Sequence, residues 1–581
     1  MSDKRFAQFA RLWVMLLFAA APLLPTVVCA QNQPQRAHEG MPIDWTSHHL
    51  LFTAPSSDEA AARNAAAAGD PRARYSSQVH GFSLTARNAR YGHTHRRRRG
   101  KAKSQVDWSV SLGTGNVAPA MSPAKFTFDI NATPSCTNDY VVFALNVPGT
   151  PGGQANVVGI NNLYSGSGTS LCGASPTILF SYAINRVAGS ILTSPILSLD
   201  GTKVAFVEST TTAAVLHVLT WHAGEGTSAT SSVAPTNSCN LDLGPCSTCP
   251  SNASCDASLT INPTIGSTLS SPFVDYHADF LYVGTDDGTL YKITGIFYGT
   301  PTLAASPWPV LVSAGVLTSP VVRFGGFGNQ TEEAIYLGDD TGNLFMVDPS
   351  LGTVSSTSTP VGGGFPGGGV VDSPIVDNTN NVIFGFSAND GTSAVVVEED
   401  TSLNEVARGA IGTAVASLAN PPVNVHLGMF DNNYFTSVGP PTGSLYVCGV
   451  SNANTNPVLY QFNFTASTTM TTPAAASKTL VATAGAECSP LTEIFNTNTS
   501  TDRLFVGLLG GCGSLPSPGC VRSYDVTAGT IPATFAVANE SGGTSGIVVD
   551  NVSPAGQASS IYFSTLGTSK RAVKLTQAQL H

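Results

Sequence analysis

Beyond residue 30 the chain carries ten cysteines: Cys136, Cys172, Cys239, Cys246, Cys249, Cys255, Cys448, Cys488, Cys512 and Cys520. Thiols can bind metal, run redox exchange or pair as disulfides, and their spacing separates the cases. The densest group is Cys239-x6-Cys246-x2-Cys249-x5-Cys255, in a loop rich in Pro, Ser and Asn. A structural zinc site draws on two well-spaced pairs, and only one Cys-x-x-Cys step is present. A redox pair needs a helix N-terminus to lower its thiol pKa, and no helix start follows Cys246. The pattern favours two local disulfides, with zinc as the alternative. Cys512 and Cys520 bracket a Gly/Pro loop, Cys136 and Cys172 would tie a long connection, and Cys448 with Cys488 completes the set. Five disulfides imply an oxidising compartment.

Other reactive side chains are scattered. His217 and His222 flank the strand-like Val218-Leu-Thr-Trp221; His277 lies two residues past Asp275; His426 follows Pro421-Pro422. Histidines so dispersed are expected in packing or surface roles rather than as ligands. His93-x-His95 supplies two nitrogens in a tract that cannot hold them rigidly. The pairs Asp286-Asp287 and Asp339-Asp340 could bind calcium, but Asp is also an ordinary hairpin-turn residue, and that reading is preferred. No Gly-x-Ser-x-Gly, His-Glu-x-x-His or Gly-Lys-Ser/Thr occurs. The run Gly362 to Gly369 lacks the Lys of a phosphate loop and reads as a connector. Asn131, Asn329 and Asn463 stand in Asn-x-Ser/Thr, which matters only in a glycosylating host. No catalytic, cofactor-binding or metal residue is nominated; PQQ and calcium are not supported by motifs.

These residues need a frame to position them, and the composition limits it. The chain has 581 residues, 11% charged and 42% hydrophobic, with 57 Gly and 37 Pro. So few charges argue against a coiled coil or helical bundle, and the apolar content against wholesale disorder. Charge is divided unevenly. Residues 1–103 hold 15 Lys/Arg and 6 Asp/Glu; residues 104–581 hold 12 and 31. A body with a balance of −19 repels phosphates, so nucleic acid is excluded as its partner.

The N-terminus has Lys4, Arg5 and Arg11, then an apolar run from Leu12 to Val28 containing Pro22 and Pro25, then Val28-Cys29-Ala30. This reads as a cleaved signal over residues 1–30; the run is short for a span, and Val28 before Cys29 does not suit a lipoprotein signal. Residues 31–105 read as a disordered leader, Ala-rich at 60–68. Arg72 to Lys103 then carries ten Lys/Arg and no acid. That tract is read as a solvated spacer, with a processing site or an anionic tether as the sharper alternatives. After signal cleavage no transmembrane span is expected.

From Trp108 onward the chain repeats. Each unit opens with Ser-Pro and apolar alternation, then a second strand, a turn and a third strand. The clearest units run Ser271-Pro-Phe-Val-Asp275 with Phe280-Leu-Tyr-Val-Gly284-Thr-Asp-Asp-Gly288-Thr-Leu-Tyr-Lys-Ile293, and Ser319-Pro-Val-Val with Ala334-Ile-Tyr-Leu-Gly338 to Asp348-Pro-Ser-Leu-Gly352. Looser copies begin at Ser122, Ser194, Ser373, Ser489 and Ser545, and a degenerate one keeps Ser444-Leu-Tyr-Val447 without Ser-Pro. Sheets of this kind bury both faces only when stacked around an axis. The Asp-Gly steps at 200–201, 287–288 and 390–391 suit tight turns. Trp108-Ser-Val-Ser-Leu112 lies upstream of the first Ser-Pro, so it is expected to complete the last sheet and close the ring.

The Ser-Pro, Leu-Tyr-Val-Gly-Thr-Asp-Asp-Gly-Thr-Leu-Tyr and Asp348-Pro-Ser-Leu-Gly352 pattern resembles the β-propeller repeat of pyrroloquinoline-quinone-type (PQQ-like) proteins, and Asp525-Val-Thr-Ala-Gly529 matches the same repeat end. The chain also resembles exported bacterial propeller proteins of unassigned activity. The likeness covers most of residues 108–581, most strongly 270–355. It implies a propeller of seven or eight blades. The family's dehydrogenases have two adjacent cysteines over the quinone and a Trp ending most repeats; here no cysteines are adjacent and no Trp follows Gly352 or Gly529.

The expectation is all-β: a single propeller of seven to eight four-stranded blades over residues 106–581, after the signal and leader. It is a secreted, periplasmic or cell-surface monomer. It acts as a non-catalytic binding scaffold for a protein or glycan surface partner, through loops inserted at about 146–180 and 225–265. The alternatives are a PQQ-dependent dehydrogenase and a hydrolase or lyase with a funnel site.

Overall fold

The computed structural model describes residues 41–43, 50–52 and 104–577, apart from 128–133, 167–169, 199, 264–267, 277, 325–331, 364–367, 415–422, 438–439, 452–455, 484–485, 497–500, 513–517, 534–535 and 552–558. The signal, Cys29, the basic tract with His93 and His95, His277, Asn131 and Asn329 lie outside these residues.

Eight antiparallel sheets follow one another along the chain. Blades 1 to 8 begin with inner strands, called A, at Ala124–Thr127, Ile196–Leu197, Phe273–Asp275, Val321–Phe324, Ile375–Asp377, Met429–Phe430, Thr492–Asn496 and Val548–Asn551. Strands B, C and D follow outward; in blade 4 they are Glu332–Gly338, Leu344–Asp348 and Thr353–Thr357. Most A strands contact the A strand of the next blade, which arranges the sheets around a common axis. The molecule is an eight-bladed β-propeller.

Alternation explains the stacking. In blade 4, Ile335, Leu337, Phe345 and Val347 face one way and Ala334, Tyr336 and Leu344 the other, and all are buried. One continuous apolar cluster runs from Ile196 in blade 2 to Leu403 in blade 5, across several blade interfaces. Each sheet is therefore sandwiched, as parallel-stacked blades require.

The ring closes as the Trp108 segment leads one to expect. Ser104–Ser111 is strand D of blade 8, antiparallel to strand C, Arg571–Gln577, with Ser104 opposite Gln577 and Ser111 opposite Arg571. The Trp108 indole is buried and donates to the Leu163 carbonyl of blade 1 at 3.0 Å. Beneath it lies a buried ionic seam. Lys574 pairs with Asp107 at 3.2 Å, and Lys125 of blade 1 pairs with Asp550 of blade 8 at 3.3 Å.

The Asp-Gly steps divide between the two faces. Gly201, Gly288 and Gly391 all have positive φ. Asp200-Gly201, however, joins strands A and B of blade 2, whereas the other two join strands B and C of blades 3 and 5. The B–C turns share a face with the Ser-Pro steps; the A–B turn is on the opposite one.

Candidate functional site: the Ser-Pro face

The Ser of each Ser-Pro lies just before strand A, and its role is interblade. The Ser122 amide donates to Ser194 Oγ at 2.9 Å, the Ser194 amide to Ser271 Oγ at 2.9 Å, and the Ser271 amide to Ser319 Oγ at 2.8 Å. Each hydroxyl thus satisfies a buried amide of the preceding blade, which would otherwise cost about 1–3 kcal/mol. Pro follows because strand A at that point needs no donor. Met121 sits inside this arc, its sulfur accepting from Ser271 Oγ at 3.3 Å. The relay then lapses: Ser373 Oγ is buried without a partner, and blade 6 has no Ser-Pro.

Where the relay lapses, charged side chains from three consecutive blades converge. Asp372 precedes strand A of blade 5, His426 that of blade 6 and Glu487 that of blade 7. His426 Nδ1 lies 2.9 Å from Asp372 Oδ2, and Nε2 lies 2.7 Å from Glu487 Oε1. Asp372 Oδ2 also accepts the Leu427 amide at 3.0 Å. Burial alone would pull the imidazole pKa down; the Asp372 carboxylate, then Glu487, outweighs it and raises the pKa to about 10. At neutral pH the ring is therefore a cation with both nitrogens donating. It has no lone pair with which to take a proton, so it works as a clamp rather than a base. Beside it Cys488 is bridged to Cys448 in strand B of blade 6, with Cα atoms 6.4 Å apart. Clamp and disulfide hold blade 6 where the Ser relay does not.

His217, in strand C of blade 2, repeats the device within the core. Its Nδ1 lies 3.0 Å from Asp256 and its Nε2 3.1 Å from Glu208. Burial opposes the charge, but Asp256 and Glu208 raise the pKa to about 9. Glu208 also accepts the amides of Arg186 at 2.9 Å and Gly189 at 2.8 Å. Both histidines are packing residues, as expected, but neither is neutral. Residue spacing carried no signal for this, because the carboxylates are 9, 39, 54 and 61 residues away. His222 is half-exposed, 3.9 Å from Glu225.

A second cluster, invisible in the sequence, lies at the opposite ends of blades 6 and 7. Asp431 caps the short helix Asn432–Thr436 by accepting the Tyr434 amide. Burial raises its pKa to about 7. Burial, and then Asp502 beside it, push Glu493 well above the usual carboxylate range. These carboxyls serve the blade junction: Asp502 Oδ2 accepts the Asn432 amide at 2.7 Å.

In the acidic pairs weighed as calcium sites, Asp287, Asp339 and Asp340 accept hydrogen bonds within their turns and from neighbouring segments. Asp287 Oδ1 accepts from Thr285 Oγ1 at 2.6 Å and Oδ2 from Asn262 at 2.7 Å. Asp339 Oδ1 accepts the Thr341 and Asn343 amides, both at 3.1 Å, and Asp340 accepts the Val316 amide at 2.8 Å. Among the described residues no group of three or more His, Cys, Asp or Glu side chains is placed to hold a metal.

All ten cysteines pair. Cys136–Cys172, Cys448–Cys488 and Cys512–Cys520 join as the sequence suggests. Within the dense group the bridges are Cys239–Cys246 and Cys249–Cys255. That group belongs to an insertion between strands C and D of blade 2. The insertion first runs up the outer edge of blade 1. Glu225 O accepts the Ser181 amide at 2.8 Å, Val233 bridges to Tyr182, and Ala229 O accepts the Ala155 amide at 2.7 Å. It returns as Asn237–Asn240, a fifth strand parallel to strand D of blade 2. Both outer edges are thereby covered. A 3-10 turn, Leu241–Leu243, follows, pinned where Asp242 accepts the Thr260 amide at 3.1 Å and hydroxyl at 2.5 Å. At its end Leu243 is 86% exposed.

No family model and no curated protein matches the chain. Solved structures similar to it include BamB from Moraxella catarrhalis, at 13% identity, covering 81% of this chain and 99% of that one, TM-score 0.42. Others are Saccharomyces cerevisiae Sqt1, at 9%, 81% and 98%, TM-score 0.45, and the Dos1 propeller, at 12%, 82% and 95%, TM-score 0.45. The chain's own strand pairing, closed between its first and last blades, makes it an eight-bladed β-propeller.

Proposed function

We propose that the protein is an exported propeller of the PQQ-like repeat type. It acts as a non-catalytic scaffold that binds a protein or glycan outside the cell. The observation that carries this reading is the blade 2 insertion. Two disulfides with Cα atoms 5.7 and 5.8 Å apart span seven and six residues, and an edge strand anchors the loop. A loop ordered before binding loses little entropy on binding, and an exposed apolar residue on such a loop is a natural anchor. Five disulfides support the exported setting. The Leu-Tyr-Val-Gly-Thr-Asp-Asp-Gly-Thr-Leu-Tyr hairpin of blade 3 supports the repeat type.

The test is saturable binding of the mature protein to a glycan array and to intact cells of the producing organism, wild type beside Leu243→Asp. We expect at least about tenfold weaker binding for the variant, with an unchanged melting temperature. Equal binding would remove the loop from the reading. Stoichiometric uptake of PQQ with calcium, with dye reduction by alcohols or sugars, would replace the scaffold with a dehydrogenase.

A further inference from the structure

Strand A of each blade has one edge with no neighbour in its own sheet, and those edges line the central channel. Two short segments from the leader lie along them. Met41–Ile43 pairs antiparallel with strand A of blade 1, Met41 opposite Thr127 and Ile43 opposite Lys125. It also contacts the A strands of blades 2 and 8. Leu50–Phe52 pairs parallel with strand A of blade 5, Leu50 opposite Ile375 and Phe52 opposite Asp377, and contacts strand A of blade 4. In a ring of eight, blades 1 and 5 face each other.

The directions agree with one path. Every A strand starts at the Ser-Pro face. The first segment runs against strand A and the second runs with it. Met41 and Phe52 therefore both lie toward the A–B face. Strand D of blade 8 begins on that same face at Ser104, since it runs antiparallel to strand C. Phe52 and Ser104 thus lie toward the same face.

The sequence has its own mark of this role. Met41, Ile43, Trp45, Leu50, Leu51 and Phe52 gather most of the large apolar residues of a leader otherwise rich in Ala, Ser and Arg. Pro42 has no amide to donate, which an edge strand accepts.

We propose that residues 41–43 and 50–52 are the channel's own occupant, an intramolecular plug held by strand addition to blades 1 and 5. Strand addition takes its affinity from main-chain hydrogen bonds, and the tether supplies an effective concentration in the millimolar range. An extended peptide entering the channel from outside must displace this segment.

Hydrogen exchange on the unaltered chain of residues 31–581 tests the idea. Amides of 41–43 and 50–52 should exchange at least about tenfold more slowly than those of 60–70 in the same leader. Equal rates would overturn it. A second measurement uses Met41→Cys with Thr127→Cys, read by non-reducing peptide mapping of the monomer. We expect this bridge and none between Met41→Cys and Asn496→Cys, at the matching end of strand A in blade 7. Equal yields, or bridges only between two chains, would also overturn it.

Discussion

His426 and His217 each hold two carboxylates from different segments of the chain, and each is a cation because of it. Their linkage sign is fixed by the direction of the shift. The folded pKa values, about 10 and about 9, lie above the unfolded value of about 6.5. Their stabilisation is therefore complete below about pH 6.5 and drains away as pH rises through 9 to 10. We expect the urea midpoint of the wild type to fall from pH 7 to pH 10. His426→Gln should lower the stability at pH 7 by about 3–5 kcal/mol, because the buried Asp372 and the partly buried Glu487 lose their counterion. The variant should also show a shallower alkaline decline. A decline of the same slope in both proteins would show that the clamp does not titrate.

At the level of the strand, the Ser-Pro entry is where sequence and energy meet. Ser194 Oγ accepts a buried amide from blade 1, whereas Ser373 Oγ has no partner. The same substitution should thus behave differently at equivalent places in the repeat. Ser194→Ala is expected to cost about 1–3 kcal/mol, and Ser373→Ala to stay within about 0.5 kcal/mol of wild type. Matching losses in chemical denaturation would mean that the serines act through local turn formation instead. The repeat pattern revealed the strands and the position of Ser-Pro. It did not reveal that the hydroxyl serves the neighbouring blade, because a repeat unit read alone has no neighbour. The three Asp-Gly steps likewise looked equivalent as dipeptides, yet one lies on the opposite face, since a turn residue reports local φ and not which strands it joins.

Across the whole molecule, stability depends on joining the two ends of the chain. Blade 8 takes three strands from the C-terminal end and one from Ser104–Ser111. A stacked ring has no free face only if that strand is present. Trp108→Ala removes a buried indole and its hydrogen bond to Leu163, and should cost about 3–5 kcal/mol in one cooperative transition. A two-step unfolding curve, with most of the signal at the wild-type midpoint, would show instead that the blades hold without closure.

A ring of seven or eight sheets, closure by the Trp108 segment, and three of the five disulfides were legible from residues alone; the strand pairing decided that the sheets number eight. Alternation with period two, Ser-Pro steps and paired cysteines are local features, and local features repeat visibly. Tertiary structure alone decided which acids face His217 and His426. It alone decided that Asp431, Glu493 and Asp502 meet, and that the cysteine-rich loop covers the outer edges of two blades. Those contacts join separate segments of the chain, in most cases tens of positions apart. Their energies come from burial and charge in a shared low-dielectric space, which no spacing along the chain records.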